Sequence, residues 1–294
     1  MSTTMWDLVA DTRRLAYGSM SDQLNFLAQE APEGAGELTF MMSVDSITPG
    51  MVLSSGLNVY YVISTTPGTK TVQVYQTYDN SMAEPLPVGA PVMIRPRVTD
   101  WLLFQNLNDT IRSLSSPAHG LYRQASWQDN SPGVWDEYPI PETAKNMTNL
   151  IRVSVKEYGG TDGWWEVPPN SIQWQPEHGI VRITGHHSLR GRTVQFDYKA
   201  PFLTATNLTD DVVDDLGLAE TMVDIPPMGA AVSLLRTTES RRNQIHAQGD
   251  PRRAEEVGPG ANSSIAREMA RDFRDRVNEE HARLVNRNPY VRNL

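Results

Sequence analysis

Between Leu57 and Tyr78 the chain reads LNVYYVISTTPGTKTVQVYQTY, and apolar and polar positions alternate with a period of two. Leu57, Val59, Tyr61 and Ile63 interleave with Asn58, Tyr60, Val62 and Ser64. That is the pattern of a strand with one better-buried face. Thr66-Pro67-Gly68-Thr69 makes the turn, with proline presetting φ and Gly68 free to take a positive φ. Val72 and Val74 continue the alternation in a second strand, while ELTFMMSVD before and PVMIRPR after add further short strands. About five strands in so short a stretch predict a small closed barrel, which hides strand edges.

Elsewhere the period changes to that of a helix. Met5, Leu8, Val9 and Thr12 share one face of a helix near 4–17, capped by Thr3 or Thr4. Leu103, Leu107, Ile111 and Leu114 mark a second near 99–115, opened by Thr99 or Asp100 and stopped at Pro117. Pro226-Pro227 precede a third, near 227–247. After the Gly- and Pro-containing GDPRRAEEVGPGANS comes a fourth, near 264–287, where Ile265, Met269, Phe273, Val277 and Leu284 form an apolar stripe. The stripe reads either as packing onto its own domain or as a docking face. Between the second and third helices, Ile151-Arg-Val-Ser-Val155, Gly179-Ile-Val-Arg-Ile183 and Thr193-Val-Gln-Phe-Asp-Tyr198 are strand-like. The turns between them predict a sandwich. The division that follows is an N-terminal helix (1–22), a small β-barrel (23–98), a helix (99–117), a β-sandwich-like domain (118–203) and a helical C-terminal arm (204–294). The expected fold class is α+β: a helical-bundle core with the two β-domains inserted into it.

Composition narrows the chemistry. The 294 residues contain no cysteine, so disulfides, thiolate catalysis and cysteine-ligated metals are excluded. The start MSTTMWDLVADTRR carries acids and arginines where a signal peptide would be apolar, and no run has the length needed to cross a bilayer. The expectation is a soluble product made inside a cell, with no membrane partner. Net charge is −9, but from Arg236 onward 12 basic residues face 9 acidic ones. The acidic body makes free duplex DNA an unfavourable ligand, since affinity there comes from neutralising phosphates.

Candidate catalytic groups are sparse. The six histidines form no metal-ligand spacing, and the adjacent His186 and His187 of a strand would point to opposite faces. Gly159-Gly160-Thr-Asp-Gly163 lies between strand-like runs and opens no helix, so it reads as a hairpin turn and not as a phosphate loop. Five of the seven tryptophans (Trp127, Trp135, Trp164, Trp165 and Trp174) fall in the second β-region, near Asp129, Asp136 and Glu137. They read as core aromatics flanked by solvated acids. The alternatives are a carbohydrate-binding platform, as in a tail or fibre module, or a hydrolase using Asp136 or Glu137. No catalytic residue, metal or cofactor is expected.

Taken in order, the segments RRLAYGSMSDQLNFLAQ, SITPGMVLSSGLNVYYVISTTPGTKTVQVYQTYDNSMAEPLPVGAPVMIRPR and TDWLLFQNLNDTIRSLSSPAHGLYR resemble the head-to-tail connector, or adaptor, proteins of tailed bacteriophages, especially those of actinobacteriophages. The pieces that carry the resemblance are Pro49-Gly50-Met-Val-Leu53, Leu57–Val62, Thr71–Tyr78, Val88-Gly-Ala-Pro-Val92 and Ile94-Arg-Pro-Arg97, with YKAPF and DIPPMGAAVSLL later. Asn58-Val59 stands where an acidic dipeptide is usual in that family, and Gln76-Thr77 where Arg-Gly is usual. The resemblance implies a non-enzymatic virion protein of the neck, forming a ring of commonly twelve copies between the portal protein and a downstream tail or stopper protein. DNA would pass through without specific binding. A ring is built from head-to-tail contacts between two different faces of each copy. The residues that would serve the portal or subunit interfaces are Trp6, Arg13, Arg241, Arg242, Arg252, Arg253, Ile265, Met269, Phe273, Val277 and Leu284.

Overall fold

A computed structural model describes residues 3–18, 22–76, 84–130, 137–157, 163–184, 189, 191–246 and 261–287, with side chains throughout except at 238–246 and 261–263. The described residues form thirteen strands, all in antiparallel sheets, and four α-helices. Two compact units divide the chain: Met1–Ile111 with Thr204–Arg274, and Arg112–Leu203 with Asp275–Leu294.

In the first unit, helix α1 (Met5–Tyr17) buries Met5, Leu8, Val9 and Thr12. At its start the Asp7 carboxylate accepts hydrogen bonds from the Thr4 backbone N–H and hydroxyl, each at 2.9 Å. An acid in the first turn also complements the helix dipole. Six strands follow: β1 (Gln23–Phe26), β2 (Glu37–Thr39), β3 (Val52–Ser55), β4 (Asn58–Thr66), β5 (Thr71–Gln76) and β6 (Pro91–Ile94). They lie in the order β1-β6-β3-β4-β5-β2. This sheet is a half-barrel and not the closed barrel expected: β1 and β2 share no ladder, and their edges are joined only over a short stretch, at the Leu27–Phe40 bridge with the Ala28 N–H to Thr39 C=O and Met41 N–H to Phe26 C=O bonds beside it. Leu53, Tyr60, Val62, Val72, Val74 and Val92 fill its interior.

The better-buried face of β4 is the one that carries Asn58, Tyr60 and Val62. Tyr60 and Val62 point inward, while Ile63 is 53% exposed and Tyr61 stacks on Tyr75 at a centroid distance of 5.2 Å outside. Both faces of this strand carry apolar residues, so alternation alone does not say which is inside, and a register shift between Val62 and Ser64 disturbs the phase further. The turn after β4 differs from the expectation. Lys70 takes the positive φ of 54°. Gly68 does not, and the Lys70 amine donates to the Met41 carbonyl.

Helix α2 (Asp100–Leu114) begins at Thr99, whose hydroxyl accepts from the Leu102 N–H. Leu103, Leu107, Ile111 and Leu114 are fully buried. Helix α3 (Ile225–His246) lies along α1, the one helix pair with an extended contact among the described residues. Gly229 of α3 sits against Thr110 of α2 and Phe273 of α4 (Ala261–Arg287) so closely that a Cβ there would lie 2.5 Å and 2.8 Å from them.

The second unit holds β7 (Arg123–Asn130), β8 (Glu137–Pro139), β9 (Asn149–Lys156), β10 (Trp164–Glu166), β11 (Ile172–Gln175), β12 (Ile180–Ile183) and β13 (Thr193–Ala200). Two antiparallel sheets, β10-β9-β13-β7 and β11-β12-β8, share one core. At its centre Trp127 stacks on Phe196 at 4.5 Å, with Tyr138 tilted against the same ring at 5.0 Å. Such aromatic pairs add about 0.5–1.5 kcal/mol each beyond the area they bury. The last turns of α4 belong to this unit, where His281 Nδ1 lies 3.3 Å from the Gly120 carbonyl.

The expected helical-bundle core with a helical arm is therefore wrong. The molecule is mixed and rich in strands, and two buried clusters lie in its sheets. The region expected as an arm is also part of the body: Ile225, Ala230, Ala231 and Leu234 of α3 are buried. A helical period locates an apolar stripe but does not name the surface that covers it.

Candidate functional site

Of the residues expected at an interface, those described differ in exposure and in partners. Trp6 is 46% exposed on α1. Arg13 is engaged within the chain: its guanidinium pairs with Asp100 at 2.5 Å, and the Asp100 side chain is only 3% exposed. Burial pushes the Asp100 carboxyl above its ordinary range, Arg13 pulls it back, and Asp22 adds to the upward push. Arg241 and Arg242 lie in α3 where side chains are not described, and Arg252 and Arg253 lie outside the described residues. On α4 the stripe splits. Val277 is buried, Met269, Phe273 and Leu284 are half-buried, and Ile265 is 51% exposed. Phe273 is spent on the close approach to Gly229.

The tryptophan-rich region behaves similarly. Trp127 is in the core, and Trp165 and Trp174 are partly buried against it. Trp164 is 40% exposed, and Trp135 lies outside the described residues. Asp136 lies outside them too, while Glu137 is ion-paired with Arg182. His186 and His187 and residues 159–162 also fall outside. Among the described residues no group of three or more His, Asp or Glu could hold a metal ion. No described helix is long and apolar enough to cross a membrane.

What the sequence did not single out is a rigid apolar seam on the half-barrel. In β1 the polar Asn25 is 1% exposed, while its neighbours Leu24 and Phe26 are 45% and 38% exposed. Asn25 faces inward because its side chain replaces missing backbone partners. Its amide donates to the Ser43 carbonyl at 3.2 Å. Its oxygen accepts the Phe26 N–H at 2.8 Å and the Met42 N–H at 3.2 Å. The Met41 N–H donates to the Phe26 carbonyl at 2.8 Å. These bonds hold Met41 and Met42, 47% and 46% exposed, beside Leu24 and Phe26. Single exposed apolar side chains are ordinary, but a group fixed together marks an interaction surface.

A second apolar surface lies elsewhere on the same sheet, made of Ile63 and the stacked Tyr61 and Tyr75. Met41 follows Phe40, whose N–H donates to the Lys70 carbonyl just before β5. Tyr75 is five residues further along that strand, about 16 Å away at about 3.3 Å per residue. The half-barrel thus carries two separate apolar surfaces on one rigid frame. No protein-family model matches the chain, and no curated protein matches it significantly.

Proposed function

We propose that this chain is a structural protein of a tailed-phage virion, a head-to-tail adaptor that assembles as a ring and bridges the portal to the tail while DNA passes through. The observation that carries this reading is the pair of separate apolar surfaces on the half-barrel, Leu24/Phe26/Met41/Met42 and Tyr61/Ile63/Tyr75. A closed ring of identical subunits needs two unlike faces on each copy, and a rigid sheet that presents both at fixed separation meets that need. The succession of segments that resembles phage connectors supports the same reading, as does the acidic body, which would let DNA slide without adhering. Affinity in such an assembly comes from shape and repeated contacts, so no reactive group is required.

The test is to mix the purified chain with portal protein and follow the masses formed by sedimentation velocity. The account expects a large ring-sized species, alone or on the portal, that is lost in the exposed-surface variant Phe26→Asp/Met42→Asp while circular dichroism stays unchanged. A chain that remains monomeric at tens of micromolar, with and without portal, would overturn it.

A further inference from the structure

The second unit contains a groove of about 620 Å³, walled by Ile151, Val167, Ile172 and Trp174 with Arg152 and Glu166 at its rim. Its size is that of a ligand-binding cleft. Two strand edges open into it. β11 pairs only with β12, so its other side has no strand. The phase of that free edge is set by the Thr184 N–H, which donates to the Ser171 carbonyl at 2.7 Å. Hydrogen bonding alternates along an antiparallel pair, so the backbone groups of Ile172 and Trp174 point away from β12; the Ile172 N–H is taken by the Pro169 carbonyl, which leaves the Ile172 C=O and the Trp174 N–H and C=O toward the groove. On the opposite wall β10 covers β9 only at Ser154–Lys156, and β9 is uncovered by any strand from Asn149 to Arg152.

The rim is acidic in balance. Arg152 is neutralised by Asp197, with Nε to Oδ2 at 2.5 Å and the Asp197 side chain only 3% exposed. The carboxylate of Glu166 is exposed and forms no ion pair among the described residues. An uncovered edge beside an apolar wall is what strand addition uses: main-chain bonds supply affinity, and alternate side chains enter the groove.

We infer that this groove binds an extended segment of another protein as an added strand on β11, with apolar side chains inward and a Lys or Arg set against Glu166. Every described strand of this chain already has its place in a sheet, so none of them supplies the added strand. The site is independent of ring formation, and either can fail without the other.

The probe is a nine-residue peptide of alternating valine and threonine with a central arginine, titrated into the full chain while amide exchange is followed. A second peptide carries glutamate at the centre. The expected result is at least a tenfold slowing of exchange at the Trp174 amide and roughly fivefold weaker binding of the glutamate peptide. Glu166→Gln should remove that preference and leave the fold intact. Unchanged exchange at the Trp174 amide up to millimolar peptide would overturn the inference. So would equal binding of the two peptides by the wild-type chain. Protection by a hexamer of N-acetylglucosamine and not by peptide would overturn it in favour of a glycan site.

Discussion

Asn25 decides how the seam of the half-barrel is built. Its three hydrogen bonds to Phe26, Met42 and Ser43 are made by a side chain 1% exposed, so truncation leaves buried backbone groups without partners. Asn25→Ala should lower stability by about 2 kcal/mol, read by urea denaturation, because orphaned polar groups cost more than the bonds they made. Asp100 gives a prediction in pH. Burial holds its carboxyl above the ordinary range despite Arg13. Its contribution to stability is therefore fully present below the ordinary carboxylate pKa and is lost as pH rises through the raised value. Asp100→Asn cannot titrate, so the wild type should gain on the variant as pH is lowered from 7 toward 4. A difference that stayed flat or shrank would mean that Arg13 outweighs burial. Neither the bonding role of Asn25 nor the pairing of Asp100, read from the sequence as a helix start, was legible beforehand. A lone asparagine between Leu24 and Phe26 reads as the solvent face of a strand, and the rule fails here because the apolar pair faces outward. Arg13 and Asp100 are 87 residues apart, and no local pattern announces such a pairing.

At the scale of elements, Gly229 is where α3 meets side chains of two other helices. In an isolated helix alanine is favoured over glycine by about 1 kcal/mol. Here its Cβ would lie 2.5 Å from Thr110 Cγ2 and 2.8 Å from a Phe273 ring carbon, both in packed surroundings. Gly229→Ala should therefore destabilise by about 1–3 kcal/mol and lower Tm by roughly 2–10 °C in a thermal scan. The helices themselves were readable: the stripe Leu103, Leu107, Ile111 and Leu114 is fully buried, as are Leu8 and Thr12 on α1. Their partners were not, since periodicity is a local quantity and the contact at Gly229 joins residues from three distant segments. In the strands the limit was different. β4 carries large apolar residues on both faces, so its period was clear and its phase was not. The half-barrel in place of a closed barrel follows from edge pairing, which only the three-dimensional register defines.

For the whole molecule, the proposed function is performed by the surfaces of strand-rich frames. The frame of the first unit fixes two apolar surfaces, and the groove of the second leaves a strand edge open. Of this, the sequence made visible the wealth of hairpins, the scarcity of catalytic patterns and the resemblance to phage connectors. It did not reveal the surfaces, because an exposed Phe26 and a buried Phe40 are the same residue type in similar surroundings along the chain. The candidate interface on α4 shows the same limit: its stripe is real, but Val277 and Phe273 are used internally. The measurement that bears most directly on the central claim is electron microscopy of the purified full chain, with averaged particle images analysed for rotational symmetry. The account predicts closed rings with a central channel, disrupted in Phe26→Asp/Met42→Asp. A uniform field of single folded copies, persisting at high concentration and in the presence of portal, would contradict it.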